Sequence, residues 1–241
     1  MFDAFIQVPS ILRSMNFIIG DSRVRGLKDI VPNLIYTEVW SRPGARVENL
    51  FEMVEGVTIL HHGVDNARSH IYVSIGICNL TERLKGSRPK YEEVVFNKTK
   101  FNEYKVKLYN EMLSLTKYAK SQYSVVIFCT IYPLNLSIWN HHRLNTKRTS
   151  YLKFEAEYSQ MQFDLEEAVS EFNKFIIKIN SETGLSTPML GRDFFRNRGK
   201  GRKEPRFSDL VDGCHPNGSL NNKFKTTLES ARKKNSSKMR T

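Results

Sequence analysis

The sequence predicts an α/β fold with a mostly parallel central sheet, and two observations carry that expectation. Short apolar runs alternate with segments whose apolar residues recur at helical spacing, and several of the runs stop abruptly at a polar or glycine-bearing turn. Strands separated by helical segments pair in parallel, because a parallel neighbour needs a crossover connection, and helices then cover both faces of the sheet. At 241 residues and 40% hydrophobic content, the chain can bury one substantial core. We read it as one domain over residues 1–225, followed by a basic, flexible tail over 226–241.

Met15 to Ile19 is the first buried strand and ends at Gly20-Asp21-Ser22, with helical residues able to follow from Val24. Tyr36 to Trp40 is the second; a helix starting near Ala45 would carry Val47, Leu50, Phe51 and Val54 on one face. Ile71 to Ile77, β-branched and apolar, is the third strand and closes at Cys78-Asn79-Leu80-Thr81. Helical spacing between Lys98 and Lys120 precedes a fourth strand, Ser124 to Ile131. Residues 134–153 have mixed polarity and read as an insertion or long loop. Phe163 to Ile179 presents a core-facing helical stripe, and Thr187 to Leu190 can form a short last strand.

Composition bounds the partners. The formal net charge of +12 attracts polyanions without specificity, although Lys and Arg are scattered enough for most to be solvated surface. Three cysteines cannot all pair within the chain and none has structural zinc spacing, which fits a reducing compartment. The N-terminal residues lack a basic leader ahead of an apolar stretch, and no run is long enough to span a bilayer, so an intracellular location, cytoplasmic or nuclear, is expected. His61-His62 and His141-His142 lack completing carboxylate or cysteine ligands, so no metal is expected.

In an open parallel sheet the functional crevice lies beyond the carboxyl ends of the strands. Ser22, Gly44 and Asn79 each sit just past such an end. A serine hydroxyl becomes a useful nucleophile only when a base takes its proton and a third group orients that base. Asp212-Gly213-Cys214-His215 offers both partners within four residues. An acyl-transfer intermediate also needs donors aimed at its oxyanion, for which the N–H groups of Ser22 and Gly44 and the side-chain amide of Asn79 are candidates.

The four ordered blocks Gly20-Asp21-Ser22, Gly44, Gly76-Ile77-Cys78-Asn79 and Asp212-Gly213-Cys214-His215 resemble those of the SGNH, or GDSL-like, hydrolase family. The resemblance spans about residues 15–220. It implies a flavodoxin-like three-layer α/β/α sandwich and cleavage of an ester or acyl group through a serine acyl-enzyme, without metal or organic cofactor. Matched block to block, it implies Ser22 as nucleophile and one oxyanion donor, Gly44 and Asn79 as the other donors, His215 as base and Asp212 as its orienting acid. Two features depart from the pattern, namely Leu80 after Asn79 and Arg23 after the serine. Gly56 or Gly63 could stand in for Gly44 under a different strand order.

Around this reading two alternatives stay open. Arg23 and Arg46 lie beside proposed active-site loops and suit an anionic group on the acylated small-molecule substrate, or simply a solvated surface. The stretch Arg192 to Lys203 interleaves bases, aromatics and glycines, as would suit weak, nonspecific nucleic-acid binding, or a flexible basic loop leading to Asp212. The competing function is a nucleic-acid-associated accessory protein of a mobile element or virus that uses the same fold for binding.

Overall fold

The structure, a computed structural model, describes residues 16–30, 37–60, 70–85, 92–121, 124–144, 155–197 and 203–238. Its centre is a four-stranded parallel sheet in the order β2-β1-β3-β6, made by β1 (Asn16–Gly20), β2 (Thr37–Ser41), β3 (His70–Ser74) and β6 (Val125–Phe128). All five residues of β1 and of β3 are buried, as central strands of a sheet covered on both faces must be. Alternate residues then feed opposite cores. Phe17 and Ile19 join a cluster with α1 (Leu50–Leu60), α3 (Lys98–Ser121) and α5 (Glu155–Glu182). Ile18 and Tyr72 join a second cluster with α6 (Leu190–Asp193) and α7 (Gly218–Lys238). The result is the three-layer α/β/α sandwich.

Register brings the functional edge together. Gly20 lies opposite Ser41 on one side and Ser74 on the other, so three strands end at one level and release their loops at the same rim. A Cβ at Gly20 would come within 2.3 Å of the Ser74 carbonyl oxygen, so the close approach of β1 and β3 just before the turn requires glycine.

The helical residues expected from Val24 are present as a 3₁₀ helix, Ser22–Leu27. Several sequence expectations are corrected. The helix expected from Ala45 begins with a 3₁₀ turn, Val47–Asn49, before α1. Its buried face is Leu50, Val54 and Val57, while Phe51 is 38% exposed. Residues 136–144 of the expected loop form α4 (Leu136–Leu144), and residues 145–153 lie outside the described residues. Mixed polarity concealed this helix because its inward-facing Asn140 is a buried polar residue, satisfied by the N–H and carbonyl of Val94 at 2.8 Å each. The antiparallel hairpin of β4 (Thr81–Lys85) and β5 (Glu92–Phe96) was not foreseen.

Thr187 to Leu190 forms no strand. Pro188 has no N–H to give to a ladder, and only its carbonyl is used, accepting from the Thr130 N–H at 3.0 Å; α6 begins at Leu190. A second small hairpin, β7 (Phe195–Asn197) with β8 (Lys203–Pro205), follows. The division at residue 225 falls inside α7, which runs without a break to Lys238. Its lysines obscure a regular inward stripe of Leu220, Phe224, Leu228, Ala231 and Asn235. The last of these hydrogen-bonds both the N–H and the carbonyl of Ser186.

Candidate active site

The rim described above carries Asp21 and Ser22 at the end of β1. Asp21 accepts from the Arg23 N–H at 2.9 Å and so caps the short turn that starts at Ser22. On the far side of the sequence, Asp212 organises its own loop. Its Oδ1 accepts from the N–H groups of Cys214 at 2.9 Å and His215 at 2.8 Å, and the Val211 N–H donates to the His215 carbonyl at 2.8 Å. Gly213 takes φ +85°, which the tight turn needs and other residues resist. Its carbonyl accepts from the Asn135 N–H at 2.7 Å, which ties the loop to the start of α4.

These two loops meet. His215 Nδ1 is 2.6 Å from Asp212 Oδ2, and His215 Nε2 is 2.9 Å from Ser22 Oγ, a contact between residues 193 apart in sequence. Burial works to raise the Asp212 carboxyl, but the hydrogen bonds from His215 and Cys214 outweigh it and hold the carboxyl below its ordinary value. An ionised carboxylate only accepts, so Nδ1 carries the proton and Nε2 is left as acceptor toward the Ser22 hydroxyl. The Trp139 ring from α4 meets the imidazole edge-on with centroids 5.5 Å apart, fixing its plane.

Ser22 opens into a cleft of about 410 Å³. Gly44 lines it in an open turn at φ +72°, held to the end of β1 by the Arg42 N–H bond to the Gly20 carbonyl at 2.9 Å. Ile77, Val94, Leu134 and Trp139 give the cleft apolar lining, and Arg46, Arg83 and the buried Arg23 also line it, Arg83 lying opposite Val94 in the β4–β5 hairpin. Of these, Leu134, Trp139 and Arg83 were not singled out from the sequence; the helical spacing of Leu136, Trp139 and Asn140 was the available signal for α4.

Two sequence assignments are corrected by geometry. The Asn79 side chain is not among the cleft-lining groups: its Oδ1 accepts from the Val47 N–H at 2.9 Å and its Nδ2 donates to Glu48 Oε2 at 2.8 Å, so the amide anchors the approach to α1. Cys78 lines the cleft instead, its thiol pushed up in pKa by burial. The reason is local: Gly76 starts a four-residue helix, α2 (Ile77–Leu80), and successive helical residues point about 100° apart.

Arg23 is likewise not a free cation for substrate. It is 3% exposed and gives Nη2 to Asp21 Oδ2 at 2.9 Å, Nε to both Asp21 oxygens, and Nη1 to the Tyr132 carbonyl at 3.0 Å. Burial alone would lower its pKa, yet the facing Asp21 more than offsets this and raises it. Arg46 is exposed on the cleft and remains compatible with an anionic substrate group.

Among the described residues no cluster of His, Cys, Asp or Glu could hold a metal ion, and no helix is long and apolar enough to cross a membrane. His61-His62 lies outside the described residues.

The architecture and its rim define a GDSL-type, SGNH-like α/β/α fold. It is shared with a lipolytic G-D-S-L protein from Veillonella parvula (TM-score 0.57, 13% identity, 90% of this chain and 97% of that one). It is shared too with a GDSL-like lipase from Bacteroides thetaiotaomicron (TM-score 0.56, 11% identity, 92% and 88%). The C-terminal domain of Drosophila Oskar has the same fold at TM-score 0.51 and 13% identity, with 89% and 86% covered. The sequence matches no protein-family profile and no curated protein.

Proposed function

We propose that the protein is a serine hydrolase that cleaves an ester or acyl bond through Ser22, His215 and Asp212. The observation that carries this reading is the unbroken run of hydrogen bonds from Ser22 Oγ through both imidazole nitrogens to Asp212, joining two loops 193 residues apart. Its chemistry follows from the assigned protons. As Ser22 Oγ attacks the carbonyl carbon, its proton passes to His215 Nε2, and Asp212 stabilises the resulting imidazolium. The imidazolium then protonates the departing alcohol or amine, leaving an acyl-serine. A water molecule, deprotonated by His215, releases the acid and restores Ser22.

We assign the developing oxyanion to the backbone N–H groups of Ser22 and Gly44; Asn79 takes the Val47 N–H at its amide oxygen and gives an N–H to Glu48. The apolar lining of Ile77, Val94, Leu134 and Trp139 suits a short acyl chain, and Arg46 and Arg83 suit an anionic group elsewhere on the substrate. A serine-directed fluorophosphonate probe tests the reading: wild type should label on Ser22 alone and Ser22→Ala should not label. Failure of the folded wild type to label would overturn it.

A further inference from the structure

A second cleft, sharing no lining residue with the first, lies where α6, the β7–β8 hairpin and α7 meet. It holds about 450 Å³ and takes Arg192 from α6, Arg206 from just after β8 and Lys223 from α7. Three cations from three elements face one carboxylate, Asp193, which is engaged by the Thr227 hydroxyl. Arg192 is 64% exposed and 3.6 Å from the other Asp193 oxygen. Arg206 gives Nη1 to Asp209 at 3.0 Å, but its buried Nε has no hydrogen-bond partner among the described residues. Against Asp193 and Asp209 the three cations leave a positive excess and a buried Arg206 N–H without a hydrogen-bond partner among the described residues, which suits an anionic ligand.

Two further features select the kind of anion. Phe195, edge-on to Phe194 at 5.6 Å, lines the cleft and offers an aromatic surface beside the cations. The face of α7 that reaches the cleft with Lys223, Thr226 and Thr227 continues at helical spacing through Ser230 to the exposed Lys233 and Lys234. From Lys223 to Lys234 that track spans about 16 Å at 1.5 Å per residue. A single small anion would need only the cleft, whereas a track of this length reaches well past it and can follow consecutive phosphates of a nucleic-acid strand. Cations that follow a backbone beside an aromatic ring are the elements of single-strand recognition, since an unpaired base can lay its π-face on a side chain and a base inside a duplex cannot.

We propose that this cleft and the adjoining face of α7 bind single-stranded nucleic acid, with phosphates along Arg192, Arg206, Lys223 and Lys233–Lys234 and a base against Phe195. The site is independent of the hydrolytic reading and uses none of its residues.

Fluorescence anisotropy of the full chain with a labelled 12-residue oligo-dT, titrated with salt, tests it. The double variant Arg192→Glu/Lys223→Glu should bind at least tenfold more weakly, with a salt slope reduced by roughly 1.4, two contacts at about 0.7 each. Lys107→Glu/Lys178→Glu, which makes the same charge change on α3 and α5, should weaken binding less than threefold. Ser22→Ala should bind as wild type does, and the cleft double variant should hydrolyse a neutral ester normally. Equal losses in the two charge variants would reduce the site to diffuse attraction and overturn the proposal. Equal affinity for a duplex of the same length, binding independent of oligonucleotide length, or no binding at low salt would also overturn it.

Discussion

Two carboxylates in this protein each hold a cationic or protonatable partner a few residues away, and they are put to different uses. Asp21 pairs with Arg23 at 2.9 Å with side chains 1% and 2% exposed, and all three guanidinium nitrogens donate to protein oxygens, two to Asp21 and one to the Tyr132 carbonyl. Asp212 pairs with His215 at 2.6 Å with side chains 13% and 32% exposed, and the far side of the imidazole meets Ser22, which lines an open cleft. Sequence spacing is nearly the same. What separates a structural clamp from a proton carrier is a titratable partner with one nitrogen left to face a hydroxyl.

The largest effect should come from the Asp212 pair. Asp212→Asn keeps the shape of the loop but allows the wrong imidazole tautomer, so turnover of a short-chain aryl ester should fall about 10,000-fold, or roughly 5.4 kcal/mol in barrier. Its thermal melting temperature should change little. A variant with near-normal turnover would remove Asp212 from the mechanism.

The Asp21 pair should respond the other way. Arg23→Met leaves a buried carboxylate without its partner and should cost about 3–5 kcal/mol in urea unfolding, while the folded fraction retains most of its activity. Similar stability with lost activity would instead make Arg23 a substrate contact, as its position in the sequence first suggested.

The smallest effect separates Asn79 from the reacting atoms. Asn79→Ala removes two hydrogen bonds that seat Val47 and Glu48 before α1, and should lower stability by about 1–2 kcal/mol with turnover reduced only a few-fold. A hundredfold loss in kcat at unchanged KM would return Asn79 to the role of oxyanion donor.

The parallel sheet was legible because its strands are buried on both faces, which writes Phe17-Ile18-Ile19 and Ile71-Tyr72-Val73 as continuous apolar runs. Ser22, Asp212 and His215 were legible because each sits in a turn with a glycine within two residues, and turns are where sequence speaks about local geometry. Direction within a short helix was not: nothing in Gly76-Ile77-Cys78-Asn79 says whether the thiol or the amide faces the cleft. Nor was α4, whose Asn140 is polar in composition yet buried through its bonds to Val94, or the length of α7, whose lysines interleave with its inward residues. In each case the missing information was a tertiary partner, which local periodicity does not contain.

The distance of 193 residues between Ser22 and His215 also orders events in time. On the proposed mechanism a ribosome makes the nucleophile 193 residues before its base, so a nascent chain that has not reached His215 carries a serine with no base to activate it. Reactivity is then coupled to completion of the sheet and to the docking of the 212–215 loop against α4. A molecule in which Ser22 meets His215 is one whose sheet has already formed.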